Sequence, residues 1–199
     1  MGDAGPGHEY RVLASEPVYQ GRVISLVKDT VAMPDGGEGV REVVRHIGAV
    51  AVVALDDDGR VVLVRQYRHP VRAALWELPA GLRDADGEPP LETAKRELAE
   101  EVQLAAEHWA LLATTYSSPG FSDEQVLVYL AEGLSEAPHP EGFAAEHEEV
   151  DMTVDRVPLA EAVRRVFDGE IRNASAVVGL LAAAQARGTG ARLRPADGN

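Results

Sequence analysis

The chain has 199 residues, 45% of them hydrophobic, and a formal net charge of −14 from 19 basic and 33 acidic side chains. That length fits one domain with a small appendage, and the acidic balance argues against nonspecific nucleic-acid binding, which needs a basic surface to displace phosphate counterions. With no cysteine, disulfides, thiolate nucleophiles and Cys-ligated zinc are excluded.

In chain order, MGDAGPGHEY is polar and glycine-rich, with neither a basic n-region nor an apolar h-region, so no signal peptide is read there. The apolar stretches are too short or too interrupted to span a bilayer. The expectation is a cytoplasmic protein with no membrane partner. Residues 1–8 and 188–199 have the composition of disordered tails. In residues 9–46, Val23, Ile24, Leu26, Val27 and Val31 suggest strands, and Pro34-Asp35-Gly36-Gly37 a turn between two of them. These predict a small antiparallel N-terminal β domain. Residues 47–187 hold the main domain. Its apolar run over 48–55 predicts a strand buried on both faces, and DDDG turns it into RVVLVRQYR as a hairpin. Pro79 and Gly81 in WELPAG mark irregular backbone. A helix is expected over 90–102, opened by Pro89 and Pro90. Strands near 109–116 and 125–131 follow, then an acidic loop over 136–149, a strand in VDMTVDRV, and helices over 159–168 and 173–186. The sum is a mixed α/β layer architecture.

The segment KRELAEEVQL places three carboxylates on the 90–102 helix. Leu91, Ala94, Leu98 and Val102 fall within a sector of about 80°, the expected buried stripe. Glu97 and Glu101, four apart, border that stripe, and Glu100 lies about 60° further round. Like charges at this spacing cost a helix roughly 0.2–0.5 kcal/mol per pair, and Lys95 and Arg96 are poorly placed to offset this for both. Two readings follow. One is a solvated surface helix; the other is a site for a hard divalent cation, which takes carboxylate oxygens, water and substrate phosphate. The helix alone leaves both open.

The wider stretch GLRDADGEPPLETAKRELAEEVQL, residues 81–104, resembles the Nudix box of hydrolases that cleave nucleoside diphosphates linked to another moiety. The seven-residue spacer after Glu88 and the RELAEEV core match; the first spacer has six residues in place of five, and Gln103 stands where the pattern ends in glycine. A non-glycine residue in the left-handed conformation costs roughly 1–2 kcal/mol, so either Gln103 bears that strain or the helix runs on. ELPAG before the box, SSPGFSDE after it (Pro119 fifteen positions beyond Leu104) and LAEAVRRVFDGEIRNASAVVGLL are similar to bacterial, actinobacterial-type ADP-ribose pyrophosphatases.

That resemblance, spanning residues 9–187, implies an α/β/α sandwich around a mixed sheet, with the N-terminal antiparallel sheet used in a swapped homodimer. It implies Mg²⁺, with Mn²⁺ as a substitute, held by Glu97 and Glu101, with Glu100 assisting and the Ala80 carbonyl completing the set. Arg96 would orient the glutamates, and Glu77 and Glu88 are secondary candidates whose alternative is plain exposure. The general base is implied in EHEEVDM, at Glu148, with Glu149 and Glu146 behind it. Arg68 would meet a phosphate or ribose, Arg41 and Arg45 the adenosine half, and Gly120, Ser122 and Glu124 the terminal ribose. For each of these six, an ordinary surface or turn role stands beside the functional one. His69, Trp76 and Trp109 are read as packing, and Tyr19 and Phe121 as alternatives for stacking on adenine. The implied reaction is ADP-ribose plus water giving AMP and ribose 5-phosphate. Alternatives are another Nudix substrate (NADH, GDP-mannose, a dinucleoside polyphosphate, an oxidised nucleotide) or a non-catalytic ADP-ribose sensor. The sensor reading expects an added DNA-binding domain and a degenerate box, and neither is visible here.

Overall fold

The computed structural model describes residues 9–140 and 150–197. They fall into two compact units, Met1–Ile47 with Tyr116–Glu124, and Gly48–Thr115 with Gln125–Asn199. In the first unit, β1 (Val12–Gln20), β2 (Ile24–Ala32) and β3 (Glu38–His46) pair antiparallel in that order. The turn between β2 and β3 places Gly36 at φ 82°, where the Met33 amide donates to the Gly37 carbonyl at 2.9 Å. β1 is exposed along its whole length, Val12, Leu13, Val18 and Tyr19 included. Segment 116–124 groups with these strands, and Ser122 bridges Val44 in parallel. The boundaries read from sequence contain no hint of that.

The second unit is built on a five-stranded sheet ordered β11-β8-β9-β4-β7. Its members are β4 (Ala49–Ala54), β7 (Ala80–Leu82), β8 (Leu104–Tyr116), β9 (Gln125–Glu136) and β11 (Arg194–Pro195). A smaller sheet runs β10-β5-β6, from β5 (Arg60–Arg68), β6 (Ala73–Glu77) and β10 (Thr153–Pro158). The apolar run of β4 is explained by its position: parallel to β9 on one side, antiparallel to β7 on the other, and covered on both faces. Ala51, Val53 and Leu55 share one core with Ala176, Leu180 and Ala183 of α3 (Ala174–Thr189). Val50, Val52 and Ala54 share the other with Ala94 and Leu98 of α1 (Pro90–Val102). The mixed sheet therefore lies between α1 and α3, with α2 (Leu159–Phe167) packed on α3, β5 and β10. α3 approaches closely because residue 179 is glycine: a Cβ there would lie 2.7 Å from Leu78 Cδ1 and 3.0 Å from Val53 Cγ2.

Three expectations need correction. The DDDG turn forms, with Gly59 at φ 75° donating to the Asp56 carbonyl at 2.9 Å. Yet β4 and β5 make one bridge, Leu55 to Val61, and then part into different sheets. Both edges of β4 are already taken by β7 and β9, so β5 has nowhere to pair along it. The strands expected at 109–116 and 125–131 are longer, starting at Leu104 and ending at Glu136. The polar segment 188–199 is not all tail. α3 runs to Thr189, and Arg194 and Pro195 pair antiparallel with Leu111 and Ala110 of β8. No described helix is long and apolar enough to cross a membrane.

Candidate active site

The site is organised by α1. Pro89 caps its start and Pro90 is its first residue, where a missing amide costs nothing. Thr93, Ala94 and Leu98 are buried and Leu91 and Val102 half-buried, which presses the helix onto the sheet by the stripe expected from sequence, widened by Thr93. The helix stops at Gln103, which lies in the left-handed region at φ 54°, ψ 44°, its amide donating to the Ala99 carbonyl at 3.2 Å. Of the two outcomes open for this residue, the strained one holds.

On the half-buried border of that stripe, Arg96 gathers the carboxylates. Its Nη1 donates to Glu97 Oε1 at 2.7 Å and to Glu100 Oε2 at 2.8 Å. Its Nε and Nη2 reach the two oxygens of Glu88 at 3.3 and 3.2 Å, and Thr93 Oγ1 donates to Glu88 at 2.8 Å. Glu101 turns away from this hub and accepts the Ala80 amide at 3.0 Å. Arg96 thus bonds one member of the i,i+4 pair, Glu97, together with Glu100, while Glu101 bonds the Ala80 amide. Lys95 pairs instead with Glu92 at 2.8 Å. Glu97 lies against Gly81, where any Cβ would collide with its carboxyl group. A side chain at that position of β7 would require Glu97 to move.

The electrostatics follow from this crowding. Burial pushes Glu97 up to about 7, the neighbouring Glu100 carboxylate adds to the rise, and Arg96 opposes it. Glu88 moves the other way, held below the usual carboxylate range chiefly by its hydrogen bond to Arg96. Burial works against the Arg96 charge, but the Glu88 hydrogen bond and the Glu97 and Glu100 charges raise it above its ordinary value. Negative charge thus exceeds the one local guanidinium. An all-oxygen donor set with surplus charge suits a hard divalent cation. Among the described residues no three acidic or imidazole side chains stand at metal-ligand spacing; Glu97 and Glu100 face Arg96, and Glu101 faces the Ala80 amide.

Other candidates fall as follows. Arg68 is anchored by Glu77, its Nη2 at 2.7 Å and its Nε at 3.0 Å from that carboxylate. Glu77 is 2% exposed, so exposure is not its role. In the first unit, Arg41 is exposed and donates to its own neighbour's carbonyl at Val40. Arg45 joins Asp29 at 2.8 Å and Asp123 at 3.1 Å. Ser122 Oγ accepts the Glu124 amide at 3.1 Å, and Glu124 stands 3.8 Å from His46. Gly120 has an ordinary φ and open space around it, so nothing inside the chain demands a glycine there. His69 lies 3.4 Å from the Tyr67 hydroxyl. Trp76 and Trp109 are half-buried at the two cores, the latter donating to the Ala106 carbonyl at 3.1 Å. Tyr19 and Phe121 are both exposed. Glu146, Glu148 and Glu149 lie outside the described residues.

Asp29, Thr93 and Asp123 went unnoticed in the sequence. Asp123 had a signal, an acid between two selected residues; the other two look like ordinary strand and helix positions. Arg83, just past β7, buries its Nε without a hydrogen-bond partner among the described residues, and nothing in their structure accounts for this.

Comparison with known proteins fits this geometry. A NUDIX domain matches residues 45–176, and a nucleoside diphosphate sugar hydrolase N-terminal domain matches residues 10–44. The chain is 51% identical to an ADP-ribose pyrophosphatase of Mycobacterium tuberculosis over 190 residues, covering 96% of this chain and 90% of that one. It is 38% identical to an ADP-ribose pyrophosphatase of Bacillus subtilis over 170 residues, 83% and 88% of the two chains. A crystal structure of an ADP compounds hydrolase superposes with a TM-score of 0.77 at 24% identity, over 94% of this chain and 99% of the other.

Proposed function

This chain belongs to the NUDIX family, and from that premise we propose that it hydrolyses ADP-ribose to AMP and ribose 5-phosphate with the help of a divalent cation. One observation carries the reading: 51% identity to an ADP-ribose pyrophosphatase across nearly the whole chain, with Glu97, Glu100 and Glu101 all present on the helix that Gly81 accommodates.

Glu97 and Glu101, assisted by Glu100 and the Ala80 carbonyl, would hold Mg²⁺, for which Mn²⁺ is a suitable substitute. Such a cation, when bound, withdraws charge from diphosphate oxygens and acidifies water. The remaining work belongs to the chain. Arg96 keeps Glu97 and Glu100 oriented, through bonds it already makes. Arg68, made rigid by Glu77, offers a preset guanidinium to a phosphate or ribose. Gly120, Ser122 and Glu124 contact the terminal ribose, and Arg41 the adenosine half. In the hydrolysis, the water oxygen bonds to phosphorus, the bridging anhydride oxygen departs, and a carboxylate accepts the water's proton. We assign that base to Glu148, with Glu149 and Glu146 behind it. The first unit serves a homodimer, a reading supported by the exposed apolar side chains of β1 and by exposed Ile24 on β2 and Val40 on β3.

Product release from ADP-ribose, ADP-glucose, GDP-mannose and NADH tests the substrate. AMP and ribose 5-phosphate from ADP-ribose are expected; no turnover of any ADP-sugar would overturn the reading. Glu97→Gln and Glu101→Gln are each expected to lower kcat by orders of magnitude while circular dichroism stays native, and near-wild-type rates in both would remove the metal assignment.

A further inference from the structure

The loop between β8 and β9 is tied down more heavily than a surface connection needs to be. Inside it, the Phe121 and Ser122 amides donate to the Ser118 carbonyl at 3.1 and 2.9 Å, and the Ser117 amide donates to the Glu124 carbonyl at 3.1 Å. Toward β3, the Val44 amide donates to the Phe121 carbonyl at 2.8 Å and the Asp123 amide to the Val44 carbonyl at 3.2 Å. Asp123 then uses both carboxylate oxygens: Oδ1 accepts the His46 amide at 2.8 Å, and Oδ2 accepts from Arg45 Nη1 at 3.1 Å. The other end of that guanidinium is sunk. Arg45 Nη2 donates to Asp29 Oδ2 at 2.8 Å, while Asp29 Oδ1 accepts the Ser15 hydroxyl at 2.6 Å. Asp29 is 3% exposed.

We propose that Arg45 is a positioning residue, the centre of an Asp29–Arg45–Asp123 latch that locks the 117–124 loop onto β3 and so fixes Gly120, Ser122 and Glu124 for the substrate's ribose. The second half of this statement rests on the proposed ADP-ribose reaction; the latch itself rests on the geometry alone. Charge favours the latch over direct contact with an anionic substrate. Two carboxylates on one guanidinium leave the triad net negative, so a diphosphate gains nothing by approaching it. The forked geometry also explains why the residue is arginine. A planar guanidinium reaches two carboxylates on opposite edges, whereas a lysine ammonium is a single point charge. Asp29 anchors the arrangement because a carboxylate this deep, deprived of its partner, is strongly destabilising.

Asp123→Ala is the decisive variant, because it removes the loop's side-chain tie to β3 while leaving the Arg45–Asp29 pair intact. Hydrogen exchange without substrate should quicken about tenfold at the Val44, His46 and Asp123 amides, the size expected for losing a charge-assisted hydrogen bond. Exchange in the rest of β2 and β3 should stay as in the wild type. KM for ADP-ribose should rise about tenfold with kcat nearly unchanged, the sign of a lost binding contribution common to ground and transition states. Arg45→Lys should behave like Arg45→Ala, and the double variant Arg45→Ala/Asp123→Ala no worse than Arg45→Ala alone. Wild-type exchange at those amides in Asp123→Ala would overturn the latch. So would rescue by Arg45→Lys, or losses in KM that multiply in the double variant, since both mark Arg45 as a direct ligand. If the wild type turned over no ADP-sugar, the reaction would fall, and the exchange rates would still judge the latch.

Discussion

Gly81 and Gln103 bracket the same segment, and the Nudix pattern has glycine at both places, yet this chain keeps only the first. The structure separates the two requirements. At Gly81 the limit is space, because the Glu97 carboxyl fills the volume of a Cβ. At Gln103 the limit is only conformation, a left-handed residue at φ 54° that closes the helix onto the Ala99 carbonyl. A Cβ at position 81 is accommodated only by moving the Glu97 side chain, which takes its carboxylate away from this place. A left-handed helix end costs a non-glycine residue roughly 1–2 kcal/mol, which the buried stripe of Ala94 and Leu98 easily outweighs. A motif position is therefore as strict as the physical demand behind it, and two glycines in one pattern need not be equally necessary.

The comparison can be broken or sharpened by substitution. The largest effect is expected from Gly81→Ala, which must drive Glu97 off β7. Its kcat on ADP-ribose should fall nearly as far as that of Glu97→Gln, and an alanine variant with wild-type turnover would erase the distinction. Gly179→Ala should show the same steric principle without the chemistry. The new methyl presses on Leu78, Val53 and Val128, and overpacking of this kind costs about 1–3 kcal/mol. Chemical denaturation should reveal that loss, while kcat of the folded fraction remains. Gln103→Gly is the smallest change and runs the other way. Relief of the left-handed strain, less the entropy glycine adds to the unfolded chain, should stabilise by about 1 kcal/mol. That corresponds to a Tm rise of about 2–4 °C for a chain of this size. A lower Tm would mean the glutamine side chain contributes more than its backbone costs.

How far the sequence could be read followed the range of the interactions. Periodicity placed α1 to the residue, since its stripe is a local pattern, and the continuous apolar run over 48–55 announced a strand covered on both faces. Pairing partners are not local. Nothing in DDDG says that β4 and β5 will separate, because the reason lies in β7 and β9, distant in sequence. The carboxylates of α1 were legible through their spacing. Their bonding was not: that Arg96 would serve Glu88, Glu97 and Glu100 together depends on a loop folding back to bring Glu88 to the helix. Asp29 was invisible for a related reason, as an acid in a strand looks solvated until a partner such as Arg45 is known to cover it.

Two residues at the far end of the chain have a practical consequence. Arg194 and Pro195 lie along β8 at Leu111 and Ala110, and Ala196 packs against the core beneath. A backbone row that would otherwise offer unpaired amides and carbonyls to a neighbouring molecule is thereby partly closed, and proline at the seam has no amide to offer a further strand. Trimming these polar-looking last residues to tidy the chain would unzip that seam, and the first symptom would be clumping in the tube, well before any loss of turnover.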